Sequence, residues 1–222
     1  MKKLSWQKRI SISFYLLGVI WFCHHFIFRP IFLDWGAPES LRVLNLEGDV
    51  FTTGDIHTRA VLINAQVSEV WPWIAQIGQD RAGFYSHQWL ENLFLADMHN
   101  VFSIDSRFQE PRQVGDTIWL ANKEHYNGAG YQIVAKITPF RSFVMVGGSD
   151  YTRIKGGENA SGCWALYLQP QSDSTTWLIA RSSSGNIRLG EKVLRYLTFE
   201  VPHFIMEARM LNTVKRLAEE KS

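Results

Sequence analysis

The chain has 222 residues, 46% hydrophobic, 20% charged and 14% aromatic, with a formal net charge of +2. That length allows one well-buried domain with an appendage, and so small a charge, with its basic residues scattered, excludes a dedicated nucleic-acid surface. Nine tryptophans and fourteen phenylalanines leave three uses for the aromatic excess: a large core, a membrane interface or a wide apolar cavity.

The first element runs from Ile10 to Phe28, "ISISFYLLGVIWFCHHFIF", nineteen residues without a formal charge. As a helix it is roughly 28 Å long, close to the ~30 Å hydrocarbon thickness of a bilayer. A cleavable signal peptide would need small residues after the apolar core, where this chain has Phe22, Cys23, His24, His25 and Phe26. A helix packed on a domain would need a polar side, and this one is apolar all round. The segment therefore reads as an uncleaved anchor. Lys2, Lys3, Lys8 and Arg9 precede it, while Arg29, Asp34 and Glu39 follow. That bias puts the N-terminus in the cytoplasm and the remainder across the membrane. His24 and His25 project about 100° apart and read as headgroup-level residues with Arg29.

Residues 1–33 are thus the basic tail and anchor, 34–56 a Gly-, Pro- and charge-bearing connector, and 57–222 the domain. "HTRAVLINA" (57–65) alternates as a strand, with Arg59, Val61 and Ile63 on one side. A helix follows, capped by Ser68, with Val67, Val70, Trp71, Ile74 and Ile77 on one face and its end at Gly78. "GQDRAG" (78–83) is a bend, and a second short helix is expected over Ser86–Phe94. Short β-rich runs then come in series, at 116–121, 131–137, 142–148, 163–170 and 175–182. Serial strands without intervening helices make an antiparallel meander. The chain closes on a long helix, about Pro202–Glu220, with Phe199, Met206, Met210, Val214 and Leu217 on one face. The fold class expected is α+β, a curved antiparallel sheet around a C-terminal helix, preceded by one transmembrane helix. Where such a sheet stands off its helix, a pocket opens.

"TRAVLINAQVSEVWPWIAQIGQDRAGFYSHQWLENL" resembles the opening of the START-like, helix-grip superfamily, in particular the bacterial polyketide cyclase/dehydratase and lipid-transport group labelled SRPBCC. "VGDTIWLA" and "HFIMEARMLNTVKRLAEE" are similar to its second-strand and terminal-helix patterns, so the resemblance covers about 34–220. It implies a cavity for sterols, lipids, polyketides or other apolar ligands, with catalysis in only some members. The chain departs from the group at Ala82, where glycine is common, and at His87-Gln88, where Tyr and an acidic residue are. A carboxylate acting at position 88 in relatives is missing here.

Arg81, Phe84, Tyr85 and Trp89 are candidates for the cavity mouth, with a core plug as the alternative. Trp119, Tyr131, Trp164 and Arg181 are candidate inward residues of the sheet, and Met206 and Met210 offer adaptable apolar contacts from the last helix. Should the site be enzymatic, His99, Asp97 and Glu91 are the acid–base candidates, although Asp97, His99 and Asn100 also suit a solvated loop. His203 and Glu207 share a helical face as half a metal site at best, and Cys23 and Cys163 fit neither a disulfide framework nor metal spacing. No metal or cofactor is expected. The function expected is a membrane-anchored domain that binds or transports an apolar molecule, with a cyclase/dehydratase-type enzyme as the alternative. "IRLGEKVLRYLTF" (187–199) is a candidate contact with headgroups.

Overall fold

The structure, a computed structural model, describes residues 6–185 and 200–220, apart from the side chains of Arg9 and Leu17. The expectations for 187–199 lie outside these residues. The first described element is α1 (Trp6–Cys23), which continues through a π-helical turn (His24–Phe28) into α2 (Arg29–Leu33). Together they form one 28-residue rod, long and apolar enough by length and composition to cross a membrane, and its most apolar window is not buried against the protein.

A six-stranded antiparallel sheet follows, built from β1 (Ile56–Ile63), β2 (Thr117–Trp119), β3 (Tyr131–Thr138), β4 (Ser142–Gly147), β5 (Gly162–Ser172) and β6 (Thr175–Ser184). Its order is β1-β6-β5-β4-β3-β2, so the expected meander runs from β2 to β6 and the first strand joins at the far side of the last. Pairing is continuous from Ile56↔Ser183 to Ile63↔Thr176. The C-terminal helix (Glu200–Glu219) and α4 (Val67–Ala75) cover one face, where Phe143, Leu166, Leu178, Leu211 and Val214 are buried together. The other face carries a second cluster, Ala60, Val144, Tyr167 and Ile179, covered by connector residues such as Leu41 of the short helix α3 (Glu39–Arg42). Strand alternation sends neighbouring residues to opposite layers.

Two local differences from the sequence reading have clear causes. The cap of α4 is Gln66, not Ser68: Gln66 and Glu69 form a reciprocal capping box, with the Gln66 N–H donating to Glu69 Oε2 at 2.8 Å. The β-rich run expected to reach residue 148 ends at Gly147, and Gly148 opens helix α6 (Gly148–Lys155), with Asp150 in its first turn and Arg153 and Lys155 in its last, charges that suit the helix dipole. The "GQDRAG" bend closes on itself. Gly78 and Gly83 exchange backbone hydrogen bonds of 3.0 and 2.9 Å, and both have positive φ. A Cβ at Gly83 would meet Asn100 Oδ1 at 2.4 Å, which is why this position takes glycine.

Candidate functional site

Between the sheet and the C-terminal helix lies a cavity of about 1060 Å³. Inward positions of four strands line it: Arg59 on β1, Gln132 on β3, Trp164 on β5 and Ser182 on β6. The helix contributes His203, Met206, Glu207 and Met210, which lie on one face at spacings of three and four. Phe84, Ser86 and Glu91 come from the segment that includes α5 (Gln88–Leu93), and Trp21, His25 and Arg29 come from the N-terminal rod. Trp21 and His25 stack at 5.2 Å with their rings nearly parallel.

A buried polar cluster joins the sheet to the helix along this cavity. Arg59 Nη1 donates to Glu207 Oε2 at 2.6 Å, and Arg59 Nε donates to the carbonyl of Phe32 at 2.7 Å. Trp164 Nε1 donates to Glu207 Oε1 at 2.6 Å, and His203 Nδ1 lies 3.3 Å from Arg59 Nη1. The side chains of Arg59 and Glu207 are only 5% and 2% exposed. Charge and countercharge match in pairs, which is the condition under which such ions survive burial. At the rod's end, Arg29 holds Glu200 through two bonds of 2.8 Å.

Glu91 differs from these carboxylates. It is 8% exposed and lines the cavity, and its Oε2 is buried without a hydrogen-bond partner. Burial moves its pKa from 4.5 up to about 7, against a weaker opposing hydrogen bond from Ser86. Its position is braced by the neighbouring Asn92, whose side chain accepts from the Met98 N–H at 2.5 Å and donates to the Met98 carbonyl at 3.0 Å. Also on the wall, burial lowers the His57 pKa and pushes the Cys163 thiol up to about 12, so that thiol stays protonated and unreactive at neutral pH.

The residues expected at the site divide accordingly. Phe84, Glu91, Trp164, Met206 and Met210 line the cavity, with Phe84 and Trp164 ring centroids 6.0 Å apart. Tyr85 is a core plug: fully buried, it accepts from Gln76 Nε2 at 2.8 Å and donates to the Trp73 carbonyl at 3.3 Å, and burial raises its pKa. Arg81 pins a loop, its Nη1 reaching the carbonyls of Ala75, Phe108 and Glu110 at 3.0–3.3 Å. Trp89 is 69% exposed and lies off the cavity wall.

Trp119, Tyr131 and Arg181 sit one register position away from the inward set. Ile118 pairs with Gln132, and Gln132 faces the cavity, so Trp119 and Tyr131 point to the opposite layer and pack on each other at 5.4 Å. Arg181 likewise points to the outer layer, where it binds the connector: Nη2 donates to the Leu41 carbonyl at 2.8 Å and Nη1 to Asp49 Oδ2 at 2.8 Å. His99 and Asp97 do meet, at 3.1 Å, but with side chains 73% and 49% exposed and away from the cavity. Gln88, where the resemblance expects an acid, accepts from the Asn100 N–H at 3.0 Å. The residues that the sequence reading missed are Arg59, His57, Gln132 and Ser182. The signal for Arg59 was present: a charge on the same strand face as Val61 and Ile63 is costly unless a partner comes from elsewhere.

Among the described residues, no cluster of His, Cys, Asp and Glu is arranged to hold a metal ion. No protein-family model and no curated protein matches the chain. Solved structures with a similar fold include a polyketide cyclase-like protein from Corynebacterium glutamicum, 12% identical over 76% of this chain and 94% of that one, with a TM-score of 0.37. CalC, a self-sacrificing resistance protein from Micromonospora echinospora, is 8% identical over 76% and 97%, with a TM-score of 0.43. Norcoclaurine synthase from Thalictrum flavum, solved with dopamine and hydroxybenzaldehyde, is 11% identical over 81% and 94%, with a TM-score of 0.42. By its own strand order and the terminal helix held against the inner face of the sheet, the chain has a START-like, helix-grip fold.

Proposed function

We propose that this chain is a membrane-tethered domain that holds an apolar small molecule, a lipid, isoprenoid or polyketide-like compound, in the cavity between sheet and terminal helix. The observation that carries the reading is the cavity itself. Its volume of about 1060 Å³ is at the top of the ~300–1,000 Å³ range of small-molecule sites. Phe84, Trp164, Met206 and Met210 supply apolar contact, and the methionines adapt to irregular ligands. Trp21 and His25 of the apolar rod share the same cavity, which supports exchange with a bilayer that the rod crosses at residues 10–28. In this reading the N-terminus is cytoplasmic and the domain lies on the other side. Tethering keeps the pocket at a high effective concentration of lipid.

Native mass spectrometry tests this. Protein extracted in mild detergent is expected to carry a bound molecule of a few hundred daltons that harsher delipidation removes; an empty cavity under every extraction overturns the reading. A second reading, a cyclase/dehydratase-type enzyme, is favoured by one residue. Glu91, a cavity carboxyl with a pKa near 7, is suited to give and take a proton at neutral pH. Chemical change in the bound molecule that stops in a Glu91→Gln variant would support it.

A further inference from the structure

The carboxyl groups around the cavity are not equivalent. Glu207 is matched by Arg59 at 2.6 Å and Glu200 by Arg29 at 2.8 Å. Asp150 accepts from Ser161 N and Oγ at 2.8 and 2.7 Å, with Arg153 at 3.6 Å. Asp55 is exposed to water. Only Glu91 is both buried and, among the described residues, beyond salt-bridge reach of any cation. An ionised carboxylate buried without a countercharge is so costly that the group takes up a proton instead. Below about pH 7 Glu91 therefore presents a neutral carboxyl, in line with its raised pKa.

The surroundings say what such a group can recognise. Glu91 lies in the same cavity as the Phe84 and Trp164 rings and the Met210 side chain, so a bound molecule has hydrocarbon on several sides and a carboxyl O–H beside it. Arg59, the buried guanidinium that could otherwise attract an anion, is already neutralised by Glu207. Among the described residues, the two guanidinium groups on the cavity wall, Arg59 and Arg29, are both matched by carboxylates, so neither is spare to offset an ionised head group.

We propose that Glu91 is the polar anchor of the cavity, donating a hydrogen bond to an oxygen of an uncharged apolar ligand. The site then takes hydrocarbon ketones, esters or alcohols and rejects the corresponding carboxylates. The proposal rests on the cavity reading above and specifies its ligand class.

The test uses the full chain in nanodiscs, with equilibrium dialysis of radiolabelled dodecan-2-one, dodecanoate and dodecane and subtraction of empty discs. Each variant's ketone affinity is expressed relative to its own dodecane affinity, which corrects for any loss of fold. The wild type is expected to prefer dodecan-2-one to dodecanoate by about tenfold, the worth of one good hydrogen bond. Glu91→Gln, which keeps an N–H donor, is expected to retain the ketone preference over dodecane, and Glu91→Leu to lose it. Dodecanoate binding as tightly as the ketone, or a ketone preference that survives in Glu91→Leu, overturns the anchor while leaving the cavity reading intact. Failure of all three probes to bind the wild type overturns both.

Discussion

Two of the buried acids on the cavity wall, Glu207 and Glu91, behave in opposite ways because only the first has a cation. Glu207 is gripped by Arg59 and by the Trp164 indole N–H. Removing it by Glu207→Ala strands the Arg59 charge and is expected to cost about 3–5 kcal/mol, read by urea denaturation. The paired replacement Arg59→Met with Glu207→Leu should recover most of that loss, since no unpaired charge then remains. Glu91 has no such partner, and its pKa is raised from 4.5 to about 7. Between those values the folded chain binds more protons than the unfolded one, so this group's contribution to stability falls as the pH rises through that window. Above pH 7 the penalty is complete, up to about 3 kcal/mol for a shift of this size. Glu91→Gln cannot titrate. Its melting temperature relative to the wild type is therefore expected to climb between pH 4.5 and 8, and a difference independent of pH would contradict the assignment.

At the level of elements, periodicity carried the reading a long way and register stopped it. The spacing of Val70, Trp71 and Ile74 marked α4, and serial β-rich runs marked the meander, because a buried face imposes a period that a single chain displays. Inward and outward residues of a strand differ by one position, and both layers of this sheet are covered, so apolar side chains occur on each. Aromatic Trp119 and Tyr131 then look as inward as Ile118 and Gln132. Trp164 was legible because Leu166 and Leu168 continue its face toward the large core. The Arg59–Glu207 pair was beyond reach, since its members are 148 residues apart and meet only when the terminal helix docks on the first strand. That helix has two kinds of position. Leu211 is fully buried in the core, whereas Met206 is half-buried at the cavity. Leu211→Ala is expected to destabilise by about 2–5 kcal/mol and Met206→Ala by less than about 1 kcal/mol, measured by thermal unfolding, because the second faces space that already exists.

The whole molecule joins an exposed apolar helix to a domain whose cavity shares residues with it. The positive residues before the helix predict which side the domain occupies: a C-terminal reporter active only outside the cytoplasm should work, and one active only inside should not. Several contacts fasten the junction between the two parts. The rod reaches Leu33 without a break in its helix, Arg29 grips Glu200, the Phe32 carbonyl accepts from Arg59, and Phe32 stacks on Phe204 at 5.4 Å. Were the rod planted in a bilayer, as proposed, these contacts would leave the domain little slack with which to swing toward a distant one. On the proposed function it would not ferry cargo as a diffusing carrier does; handover would happen on the spot, with the leaflet beneath it or with a visitor that comes alongside.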